Sequence, residues 1–130
     1  KDVATDSLLD LHPPRIFQID GNLGGTAAIL EMLFQSYHGE MDFLPALPEC
    51  WPDGRIKGLR GQGGFLVNME WEKGVLKQAV IQAQKDGECK ILLKGKSYKV
   101  FDEDENLIPY RIEKELLIFP VEAGRTYIVK

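Results

Sequence analysis

The sequence predicts a mainly β fold: an antiparallel β-sandwich preceded by one helix. Three observations carry this. From Met41 onward apolar residues recur with a period of two, turn signals recur about every ten residues, and a single apolar helical segment stands before them. The 130 residues are 44% hydrophobic and 28% charged, enough for one packed domain plus a short extension. A net charge of −4, with Lys and Arg scattered, argues against nucleic-acid binding and a polybasic membrane surface. No apolar run approaches the ~20 residues that span a bilayer.

The helix is expected over Gly25 to His38. Glu31 and Gln35 form one polar stripe at i,i+4, and Ala27, Ala28, Ile29, Leu30, Met32, Leu33, Phe34 and Tyr37 cover the rest. A helix apolar on so many sides needs neighbours, so it reads either as the end of a larger helical domain or as a helix docked on the sheet. Thr26 suits its start and Gly39 its stop. The stretch Leu44 to Gly54 contains Pro45, Pro48 and Pro52 and ends in Pro-Asp-Gly, a rigid connector.

Strands follow. Phe65, Val67, Met69 and Trp71 alternate with Leu66, Asn68, Glu70 and Glu72, placing the first set in the core. Lys73-Gly74 turns the chain, Val75 to Gln84 returns, and Asp86-Gly87 signals a further hairpin. Glu88 to Leu93, Ser97 to Phe101, Leu107 to Ile112, Leu116 to Phe119 and Thr126 to Val129 complete the set. The acidic tip Asp102 to Glu105 lacks EF-hand spacing and reads as a solvated turn. Cys50 and Cys89 read as two buried thiols, with a disulfide as the alternative; they lack the spacing of a zinc site. Trp71 belongs to the core, and Trp51 reads as a wedge between domains, with sugar stacking as the alternative.

The densest polar cluster is Phe17-Gln18-Ile19-Asp20-Gly21-Asn22-Leu23-Gly24-Gly25-Thr26. On spacing alone Asp20 and Asn22 make an Asx turn and cap; a ligand approached by the glycine backbone is the alternative. The P-loop Lys-Ser/Thr pair is missing, which sets a phosphate cradle aside. His12, before Pro13-Pro14, is either a structural hydrogen-bonder or a donor to substrate.

These residues, in order, resemble glycoside hydrolase family 95, the inverting α-L-fucosidases with some α-L-galactosidase members. The resemblance runs through His12-Pro13-Pro14, Phe17 to Ala27, Glu31-Met32-Leu33, Gln35-Ser36, Leu44-Pro45-Ala46-Leu47-Pro48, Trp51-Pro52-Asp53-Gly54, Lys57-Gly58-Leu59-Arg60 and Gly63-Gly64-Phe65. Leu23 stands where the family usually has an aromatic residue, and Arg15-Ile16 lengthen the spacing that follows His-Pro-Pro. The resemblance implies that residues 1–40 end a catalytic (α/α)6 barrel and residues 41–130 form its C-terminal β domain. The missing initiator Met likewise suggests a fragment.

It also implies the chemistry. A glutamic acid protonates the glycosidic oxygen while water attacks the opposite face of the sugar, activated by asparagines that an aspartate polarises. Such inverting groups stand about 6.5–9.5 Å apart. Asp20 matches that aspartate; His12 and Asn22 are the candidate substrate-binding residues. The acid and the asparagine pair have no counterpart here, so the fragment alone is expected to be inactive. The implied partners are a fucosylated glycan and the upstream barrel of the same chain, with no cofactor, metal, nucleic acid or membrane. The implied compartment is periplasmic or extracellular. A non-catalytic β-sandwich that packs on the barrel or binds glycan is the alternative.

Overall fold

A computed structural model describes Leu11–His12, Ile16–Phe17 and residues 27–130. Its first strands, β1 (Leu11–His12) and β2 (Ile16–Phe17), form a small antiparallel pair with Leu11 opposite Phe17 and His12 opposite Ile16. Helix α1 contains residues 27–33. Then come β3 (Phe34–Tyr37), β4 (Glu40–Phe43), β5 (Gly54–Gly61), β6 (Phe65–Glu72), β7 (Val75–Ala83) and β8 (Gly87–Leu92). The last four are β9 (Val100–Phe101), β10 (Arg111–Glu113), β11 (Leu116–Val121) and β12 (Thr126–Val129).

Ten of these strands build two five-stranded sheets, in the orders β10-β11-β8-β4-β3 and β5-β6-β7-β12-β9. Their inner faces share one hydrophobic core, the arrangement of a β-sandwich. Phe65, Val67, Met69 and Trp71 are buried as their alternation requires, while Asn68 and Glu72 face out. Across the core the rings of Phe119 and Tyr127 lie 5.5 Å apart. The pairing is antiparallel except between β4 and β8, which run parallel because β5, β6 and β7 of the other sheet form the crossover between them.

The expected helix Gly25 to His38 is cut short. It ends at residue 33, and Phe34–Tyr37 are strand. The decisive interactions are non-local: Phe34 pairs with Phe43, with their ring centroids 5.7 Å apart. Gly39, expected to stop a helix ending at His38, instead forms with His38 a two-residue hairpin turn with φ of 56° at His38 and 76° at Gly39, the type I′ signature. Lys73-Gly74 makes the same turn between β6 and β7, with φ of 53° and 77°.

β5 departs from the two-residue period, carrying its inward residues Ile56 and Leu59 three apart. A bulge absorbs the extra residue: Ile56 lies opposite Met69 and Leu59 opposite Val67. Gly58 takes φ of 78° there, and its N–H donates to Asn68 Oδ1 at 2.8 Å.

Asp86-Gly87 is not a hairpin turn, contrary to its sequence signal. It carries the chain from β7 in one sheet to β8 in the other. The link from β11 to β12 crosses between the same sheets alongside it, and the two crossings are stitched together. Gly124 N–H donates to the Ala83 carbonyl at 2.8 Å, and Ala123 N–H to Asp86 Oδ1 at 2.8 Å. The expected strand Leu107 to Ile112 holds only Arg111 and Ile112, as the start of β10, and a single bridge from Leu107 to Phe101; Pro109 in its middle has no N–H to offer a ladder. Likewise Ser97 to Phe101 is strand only at Val100–Phe101.

The proline-rich connector forms neither helix nor strand up to Asp53, and its end is hydrogen-bonded to the β6–β7 turn. Asp53 Oδ1 accepts the Lys73 N–H, and the Pro52 carbonyl accepts the Gly74 N–H, both at 2.8 Å. Trp51 packs half-buried against the core, and its carbonyl accepts the Trp71 indole N–H at 3.0 Å. Cys89 is buried but Cys50 is exposed, and both thiols are free. The expectation of two buried thiols therefore fails at Cys50, which lies in the connector rather than on a strand.

Candidate functional site

The candidate residues all lie at the N-terminal end. His12 stands on β1 opposite Ile16. Asp20 and Asn22 lie outside the described residues, between β2 and α1 in the chain. The continuous part of the described structure begins at residue 27, in α1.

At its other end α1 runs into β3 without a loop, and the backbone there needs outside partners. The last carbonyls of a helix have no N–H within the helix to satisfy them. Here three successive ones are satisfied from the sandwich side. The Glu31 carbonyl accepts Gln35 Nε2 at 3.0 Å, the Met32 carbonyl accepts Ala46 N–H at 3.0 Å, and the Leu33 carbonyl accepts Leu44 N–H at 2.8 Å. The Glu31 side chain is held as well: its Oε1 accepts the Tyr37 hydroxyl at 2.5 Å. That hydrogen bond to Glu31 raises the Tyr37 pKa above the ordinary phenol value, with desolvation adding to it.

Between α1, β3 and β5 lies a cleft of about 590 Å³. Leu30, Phe34, Ile56 and Leu59 supply apolar lining, and Glu31, Lys57 and Arg60 its charged residues. Below it the edges of the two sheets are tied, with Gln62 N–H donating to Ser36 Oγ at 2.9 Å. The Glu31–Gln35 relation was visible in the sequence as a helical i,i+4 pair. Because residue 35 is in a strand, its amide reaches back to the helix carbonyl instead. Nothing in the local pattern signals the parts played by Tyr37, Leu44 and Ala46.

The remaining polar clusters are structural. Asp102 accepts hydrogen bonds from Asp104 N–H and Asn106 N–H, both at 2.9 Å, and from the Asn106 amide at 3.1 Å. The backbone and side chain of Asn106 chiefly hold its pKa below the ordinary carboxylate value. The acidic tip is thus folded around its own first residue, which is buried, and Glu103 to Glu105 are solvated. Arg111 bridges Glu88 and Glu113 on the outer face, and its hydrogen bond lowers the Glu88 pKa. Burial pushes the Cys89 thiol pKa up, which removes it as a nucleophile. Among the described residues, no three His, Cys, Asp or Glu side chains are grouped as metal ligands, and no helix is long and apolar enough to cross a membrane.

Residues 35–129 match the family described as glycoside hydrolase family 95, C-terminal domain. The chain belongs to this family. Alpha-L-fucosidase 2 of Arabidopsis thaliana is 37% identical over 116 residues, covering 83% of this chain and 14% of that protein. Probable alpha-fucosidase A of Aspergillus oryzae is 40% identical over 70 residues, covering 46% of this chain and 10% of that protein. The Aspergillus niger protein of the same name is 37% identical over 76 residues, covering 49% of this chain and 9% of that protein. The chain thus spans about one seventh or less of the length of the relatives it matches.

Proposed function

We propose that this chain is the C-terminal portion of an α-L-fucosidase that removes terminal α-1,2-linked L-fucose from glycans with inversion. The observation that carries the reading is the extent of similarity to the Arabidopsis α-L-fucosidase. At 83% of the chain, it is longer than the 35–129 match and so takes in residues before 35. The stretch leading out of the Asp20 motif is therefore shared together with the sandwich.

In this reading the chain before the sandwich ends a helical (α/α)6 barrel. Asp20 polarises asparagines contributed by earlier segments, and His12 and Asn22 contact the sugar. An amide is a feeble base until a hydrogen-bonded carboxylate shifts electron density toward it, so the charge on Asp20 matters even without contact with the attacking water. The acid lies upstream too, and the isolated 130 residues are inactive. The site is periplasmic or extracellular, and α-L-galactosides are the alternative substrate.

The test is made in the full-length parent. Asp20→Asn is expected to lower turnover by at least ~10²-fold, the range of general-base assistance, with an unchanged melt. Asparagine caps a helix or Asx turn nearly as well as aspartate, so normal turnover with an unchanged melt returns Asp20 to a turn-forming role. Hydrolysis of an α-L-fucoside by the 130-residue chain above the blank overturns the assignment of the acid to the missing part.

A further inference from the structure

We propose that β10 pairs with the β10 strand of a second copy of this chain, antiparallel and centred on Ile112, joining two sandwiches edge to edge. The proposal does not depend on the fucosidase reading. Four strands end the two sheets: β3, β5, β9 and β10. β3 is tied to β5 through Ser36 and Gln62. β5 carries a bulge and the cations Arg55, Lys57 and Arg60, so pairing with its own copy would set like charges together. β9 has Leu107 bridged to Phe101 on the side away from β12. Among the described residues β10 is left open, and it has neither a bulge nor a single sign of charge.

The backbone fixes which groups are free. Lys114-Glu115 joins β10 to β11, with Glu113 opposite Leu116. The pair that closes a two-residue turn is hydrogen-bonded, and hydrogen-bonded pairs alternate along antiparallel strands. Glu113 and Arg111 therefore turn their backbone groups toward β11, and Ile112 turns its N–H and C=O to the open side. No backbone group of the described residues meets them there. The Ile112 side chain is 57% exposed although it stands opposite the fully buried Leu117. Leu107 and Tyr110, in the segment leading to β10, are exposed as well. The charges then select the occupant. A two-fold axis at Ile112 sets Ile112 opposite itself and Arg111 of each copy opposite Glu113 of the other. The two Ile112 residues exchange N–H···O=C bonds. The Arg111 and Glu113 positions become non-hydrogen-bonded pairs, where side chains stand closest and opposite charges attract. Arg111 is already held on the outer face by Glu88 at 2.6 Å and by Glu113 of its own strand at 2.8 Å, where the second Glu113 arrives.

Sedimentation equilibrium of the full-length parent, from about 5 to about 200 μM, reads the association. So short an edge belongs to the weak class of interfaces, and a Kd on the order of 100 μM is expected. Arg111→Glu and Glu113→Arg each set like charges across the axis, and each is expected to weaken self-association at least about tenfold. Mixed in equal amounts, the two variants are expected to associate as the wild type does, because in the mixed pair every carboxylate faces a guanidinium. Ile112→Pro removes the outward N–H and no bond to β11, a substitution that an edge strand tolerates. It is expected to abolish association while the protein still melts cooperatively. A wild-type protein that stays monomeric at every concentration overturns the proposal. So does wild-type association in Ile112→Pro or in both charge variants, which would place the contact elsewhere, and so does a mixture that fails to recover it.

Discussion

In β6 the apolar residues Phe65, Val67, Met69 and Trp71 are buried one after another at a spacing of two, and the strand forms where that spacing says. Across residues 27–37 apolar side chains fall on almost every side, and the chain changes from helix to strand between Leu33 and Phe34 with no local signal. Both regions are rich in hydrophobic residues. They differ in whether one periodicity excludes the other. A strict alternation cannot be buried as a helix, because it would spread apolar residues around the whole circumference. A uniformly apolar segment can be buried in either form, so its partners decide.

The contrast is broken most directly at Trp71, the largest side chain of the alternating set. Trp71→Ala removes a buried ring and the indole hydrogen bond to the Trp51 carbonyl. A loss of about 3–5 kcal/mol is expected in denaturant unfolding of the 130-residue chain. Gly54→Ala attacks the same residue from β5. A Cβ there would lie 2.3 Å from Trp71 Cζ2, so the ring must move, at a cost of about 1–3 kcal/mol. A melt equal to wild type after Gly54→Ala would show that this end of β5 is held loosely.

A paired substitution sharpens the comparison. Gly39 and Gly74 occupy the same position of matching two-residue turns, and neither would bring a Cβ within 4 Å of another group. Alanine at either site therefore costs backbone strain alone, about 1–2 kcal/mol. Unfolding should show similar losses for Gly39→Ala and Gly74→Ala. Amide exchange should distinguish them: only Gly39→Ala should speed exchange in α1, because β3 and α1 are continuous. Equal exchange profiles would mean that the β3–β4 hairpin does not support the helix.

The smallest effect at neutral pH is expected away from both regions, at Asp102. Its folded pKa is depressed, so the stability it contributes is present above its unfolded pKa of about 3.9 and is lost as pH falls through the folded value. The melting temperature of the wild-type chain should therefore decline below about pH 4. Asp102→Ala should start lower at neutral pH and decline less steeply in acid. Parallel acid limbs would assign the decline to other carboxylates.

The sequence by itself determined the sandwich, its burial pattern in β6, the Lys73-Gly74 turn and the proline-rich connector. Each rests on an interaction within a few residues: an alternation, a glycine at positive φ, or a proline without an N–H. The motif around Asp20 was equally plain as a resemblance, since it consists of residue identities in order. Tertiary structure decided the rest. It turned Phe34–Tyr37 into a strand because Phe43 was available to pair with Phe34. It made Asp86-Gly87 a crossing between sheets because β8 found partners in β4 and β11 rather than in β7. It hid β5 from its own periodicity through the bulge at Gly58, whose N–H is met by Asn68 from the neighbouring strand. The end of α1 belongs to the same class, because the donors that satisfy Met32 and Leu33 come from Ala46 and Leu44. A hydrogen bond between residues a dozen positions apart leaves no periodic trace in the chain, and only the folded sandwich brings its donor and acceptor together.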